Sequence, residues 1–108
     1  MTDASSNLPL SEVYRVTAKE WVEADAAANL LEETKSAVLS QHMKALGDIP
    51  VSKAELIVKS TADWHQFLTN MVEARKQANL LKVKLEWVRM RFMEWNSENA
   101  TRRAEMKL

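Results

Sequence analysis

Apolar residues recur along this chain with a helical period. From Trp64 onward, positions spaced alternately three and four apart read Trp64, Phe67, Met71, Ala74, Ala78, Leu81, Leu85, Val88, Phe92 and Trp95. Ten consecutive apolar positions in an a/d heptad pattern predict a long helix with a continuous seam. The first half carries a less regular series, Tyr14, Thr17, Trp21, Ala24, Ala28, Leu31, Lys35 and Val38. Each half therefore has one apolar face along a helix.

The residues that start and stop helices set the boundaries. Glu12 to Leu46 contains neither Gly nor Pro, and Ser11 is placed to cap it, so a helix over 11–46 is expected. Gly47 stands where that helix ends, and Asp48-Ile49-Pro50 prevents it from continuing, giving a turn over 47–51. Ser52 and Glu55 have the spacing of a capping box, with Val51 and Leu56 at the staple positions. They predict a second helix from 52 to about 100. Ser60-Thr61-Ala62-Asp63 repeats the cap pattern, so a bend there is the alternative to one unbroken helix, which is favoured. Residues 1–10 read as a flexible arm, and 11–108 as a single domain.

Charge relates the two helices. Residues 1–50 hold eight acids and four bases, and residues 51–108 hold seven acids and eleven bases. The second seam is flanked by Arg75, Lys82, Lys84, Arg89 and Arg91, the first by Glu20, Asp25 and Glu32. Two copies of the second seam would set like charges together, whereas the two halves complement each other. The expected fold is all-α: an antiparallel, coiled-coil-like hairpin of two long helices, with Tyr14 opposite Leu85 and Ala28 opposite Met71. In that register Val88 lies opposite Ser11, which leaves Phe92 and Trp95 uncovered. A second apolar stripe, Leu80, Val83, Trp87 and Met90 with Met93 nearby, runs along the other face of the same helix. A helix apolar on two faces needs cover from elsewhere. A homodimer forming a four-helix bundle is expected to supply it, with Leu80, Val83, Trp87, Met90, Phe92, Met93 and Trp95 as interface.

Composition narrows the chemistry. There is no cysteine, which removes disulfides, thiolate ligands and cysteine nucleophiles. One Gly and two Pro are too few for the turns of a sheet protein. No apolar run approaches a membrane span, and no basic-then-apolar leader opens the sequence, so a soluble cytoplasmic protein with no membrane contact is expected. His42 and His65 lack the spacing of a helical metal site, and there is no phosphate loop or nucleophile elbow. No catalytic residue, cofactor or metal ligand is assigned, and no enzymatic activity is expected. Arg75, Lys82, Lys84, Arg89, Arg91, Arg102 and Arg103 give the second helix a basic stripe, with Trp87 and Trp95 able to stack on bases.

The runs Glu73-Ala74-Arg75-Lys76-Gln77-Ala78-Asn79-Leu80, Arg89-Met90-Arg91-Phe92 with Trp95, and Ala100-Thr101-Arg102-Arg103-Ala104-Glu105-Met106-Lys107-Leu108 resemble small all-helical accessory proteins encoded by phages and prophages. The resemblance covers the C-terminal half only and includes no catalytic motif. It implies an accessory or inhibitory role through contact with another macromolecule. The expected function is a non-enzymatic protein–protein interaction module whose partner is unknown. A DNA- or RNA-binding accessory of recombination or transcription, acting through the basic stripe, is the alternative.

Overall fold

A computed structural model describes residues 9–106. They form three helices, two of them long: α1 (Leu10–Ala45), α2 (Val51–Lys59) and α3 (Ala62–Met106). There is no strand among the described residues. Residues 1–8 of the expected arm lie outside the described residues, and Leu10 is already helical.

Both proline-preceded helices start earlier than the serine caps suggest. Glu12 and Val13 N–H groups donate to the Pro9 carbonyl at 3.0 Å each, and Ala54 N–H donates to the Pro50 carbonyl at 2.9 Å. Pro50 is the N-cap of α2, with φ −53° and ψ 140°, and no side chain caps that helix. Ser11 and Ser52 thus fall inside first turns, and the Ser52–Glu55 capping box is not formed. Val51 and Leu56 are both largely exposed, so they make no staple. The proline ring fixes φ near its ordinary value and leaves the carbonyl free to accept the first helical bond, which serves in place of a hydroxyl cap. At the other end of α1, Gly47 has φ +91°, a left-handed conformation that suits glycine and stops the helix.

The expected unbroken second helix is two helices. Ser60 and Thr61 hydroxyls donate to the Ile57 and Val58 carbonyls at 2.7 Å each. Thr61 Oγ1 also accepts from Trp64 N–H at 3.2 Å, which makes Thr61 the side-chain cap that starts α3. Short hydroxyl side chains compete with the backbone for its own partners, and here they terminate one helix and open the next without Gly or Pro.

The described residues gather in two compact units. One comprises Ala24–Ala78: the later part of α1, all of α2 and the first turns of α3. Its core is Ala28, Ala54, Val58, Trp64 and Ala78, with Trp64 stacked on Phe67 at 5.7 Å between ring centroids. The α1 seam departs from the expected series at Lys35, which is exposed; half-buried Thr34 takes its place and donates to the Leu30 carbonyl at 2.8 Å. The other unit contains Pro9, residues 10–23 of α1 and 79–106 of α3, with Thr17 and Val88 fully buried. Along α3, nine of the ten predicted seam positions are buried or half-buried, and only Trp95 is exposed.

Candidate interaction surface

In the unit holding residues 79–106, α3 turns its seam inward through Leu81, Leu85, Val88 and Phe92. Helical geometry then sends Leu80, Val83, Trp87 and Met90 to the opposite side. All four are between 54 and 66 % exposed. The stripe lies in the middle of a 45-residue helix. The Arg91 guanidinium sits over the Trp87 ring, 6.0 Å from its centroid, and its Nη1 lies 3.3 Å from Glu94 Oε2. Met93 is exposed on the edge of the same surface.

Phe92 and Trp95 lie on the seam side of α3, Phe92 half-buried and Trp95 52 % exposed. Their rings stack at 6.2 Å between centroids, and with Pro9, Leu10 and Ser11 they line a shallow cleft of about 270 Å³. They are not beyond the reach of α1, as the expected register had them. That register is corrected in both units. In the other unit it would set Arg75 opposite Ala24, but the partners of Arg75 are Asp25, Asn29 and Glu32, up to two turns further along α1. The cause is the connection: α2 and the Ser60–Thr61 joint stand where a tight turn alone was expected.

The cations do not form one stripe. Arg75, Lys82, Arg89 and Arg103 repeat on one flank of the seam, and Lys84 and Arg91 lie on the other. Arg75 is not free for an external partner. Its Nη1 donates to Asp25 Oδ1 at 2.7 Å, its Nη2 to Asn29 Oδ1 at 2.6 Å, and its Nε to Glu32 Oε2 at 2.8 Å. Hydrogen bonding from Arg75 holds the Glu32 carboxyl below its ordinary value of 4.5, and the two carboxylates raise Arg75 in turn. Lys82, Lys84 and Arg89 are exposed and have no carboxylate within ion-pair distance among the described residues. Arg102 lies on a broad groove with Glu94, Ser97, Glu98, Thr101 and Glu105, and Arg103 is exposed.

Other apolar residues that the seam pattern passes over are exposed, among them Val22 in one unit and Leu30 and Val72 in the other. Each adjoins a seam residue in the sequence (Trp21, Leu31 and Met71), and the three form no helical repeat of their own. His42 is half-buried and His65 exposed, and no group of three or more His, Asp or Glu among the described residues is placed to hold a metal. No helix among them is long and apolar enough to cross a membrane. No protein-family model matches the chain, nor does any curated protein or solved structure.

Proposed function

We propose that this chain is a non-enzymatic protein–protein interaction module: a cytoplasmic antiparallel helical hairpin that pairs with a second copy through the outer face of α3 to form a four-helix bundle. The exposure of Leu80, Val83, Trp87 and Met90 on the side of α3 away from its seam carries this reading. Completing the burial of each recovers a little over half of the roughly 1.5–3 kcal/mol that full burial of such a side chain is worth. Two carry the large, polarizable surfaces that dominate interface energetics, Trp87 and Met90. The likeness of the C-terminal half to phage-encoded helical proteins supports an accessory or inhibitory role for the assembled bundle. The partner engages whatever surface the bundle leaves open.

Replacing Trp87 and Met90 together by Ala tests the reading. The double variant is expected to sediment as a monomer while keeping its helical circular dichroism. A variant that sediments with the wild type's oligomeric mass places the contact elsewhere.

A second reading rests on Lys82, Lys84 and Arg89, which lack carboxylate partners among the described residues. As a nucleic-acid accessory the protein would present them to phosphates, and its affinity for duplex or single-stranded DNA would fall steeply as salt rises. Failure to bind oligonucleotides even at low salt eliminates it.

A further inference from the structure

We infer that the second copy packs on the outer face of α3 in parallel and in register, with Glu86 of each chain paired to Arg91 of the other. This rests on reading that face as a self-association surface.

With Leu80 at a heptad a position, Val83 falls at d, Trp87 at a and Met90 at d. Beyond them the same positions hold Glu94, Ser97, Thr101 and Ala104. The e positions beside this stripe are Lys84, Arg91 and Glu98, and the g positions are Asn79, Glu86 and Met93. Orientation decides which of these meet. In a parallel pair each g position faces the next e position of the other chain. Glu86 then meets Arg91 of the other copy, twice by symmetry, and Asn79 meets Lys84. In an antiparallel pair, e faces e and g faces g. With the two Leu80–Met90 stripes aligned, Lys84 would then confront Lys84 or Arg91 of the other copy, Glu98 would lie beyond them, and Glu86 would confront Glu86 or a neutral side chain.

Both members of the proposed pair are available. Glu86 is exposed and has no ion pair among the described residues. Arg91 rests over the Trp87 ring and pairs with Glu94, and that pair, with both side chains more than half exposed, is of little worth in water. Glu94 is the one charge among the a and d positions from Leu80 to Ala104. Past it, the small side chains of Ser97, Thr101 and Ala104 let the two helices stay close.

The absence of cysteine makes a single introduced thiol an unambiguous reporter. Ser97→Cys occupies a d position, so in the parallel pair the two thiols face each other. In a glutathione buffer this variant is expected to become a disulfide-linked dimer with unchanged helicity. Arg91→Glu, which puts like charges beside Glu86, is expected to weaken the dimer roughly tenfold, and Glu86→Arg with Arg91→Glu to restore it. A dimer in which the thiols introduced by Ser97→Cys do not link, and which Arg91→Glu tightens, is antiparallel; it overturns this inference and leaves the face itself in place. A wild-type chain that is monomeric at every concentration overturns both.

Discussion

Arg75 shows how one side chain can join two helices. It donates four hydrogen bonds to Asp25, Asn29 and Glu32, all on α1. A planar guanidinium spreads five donors over three nitrogens in a fixed fork, whereas a lysine's three donors share one nitrogen. Because Glu32 is held below its ordinary 4.5, it contributes stability that is complete above that value. The contribution is lost as pH falls through the depressed value. Thermal melts of Glu32→Gln and the wild type are expected to differ most near neutral pH and to converge in acid; a difference that widens in acid would contradict the ion pair. Ala28, fully buried, tests packing in the same unit. Ala28→Leu is expected to cost about 1–3 kcal/mol in denaturant unfolding, because a close-packed contact has no room for the added carbons. The sequence identified the acidic flank of α1 and the basic flank of α3 as complementary. It did not pair Arg75 with Glu32, because that pairing depends on a register set by a distant connection.

At the scale of elements, the seams were legible and the joints were not. The α3 seam repeats without a break through buried or half-buried positions from Trp64 to Phe92, since burial and period are two expressions of one geometry. Helix starts depend on which of several competent residues wins. At both Pro9-Leu10-Ser11 and Pro50-Val51-Ser52, the proline carbonyl takes the first bonds and leaves the serine inside the helix. At Thr61 the hydroxyl prevails, capping Trp64 N–H and bonding the Val58 carbonyl. Thr61→Ala removes both contacts and is expected to cost about 1 kcal/mol in chemical unfolding, with no change in the extent of helix. Gly47→Ala forces a side chain into φ +91° and is expected to cost a similar amount, about 1 kcal/mol, though no atom lies within 4 Å of the added carbon. Equal stability of wild type and Gly47→Ala would mean that the left-handed turn is absent in solution.

For the whole molecule, the composition and period pointed to an all-helical chain, and the described residues are organised in that way. The outer stripe of α3 was also legible, because Leu80, Val83, Trp87 and Met90 keep a helical spacing of their own. Phe92 and Trp95 were grouped with it because their cover depends on where α1 begins. An apolar face says that something should cover it and leaves the identity of the cover to geometry and charge. Under the proposed self-association, the charges beside the stripe distinguish the two orientations and favour the parallel one. Apolar contacts of this kind persist in salt, whereas phosphate contacts do not. The most direct measurement is absolute mass by light scattering over a dilution series at low and high salt. A species of twice the 12.3 kDa chain mass that survives both dilution into the micromolar range and added salt is the predicted result. A single chain mass at every concentration, with Trp87 and its neighbours left in water, would contradict it.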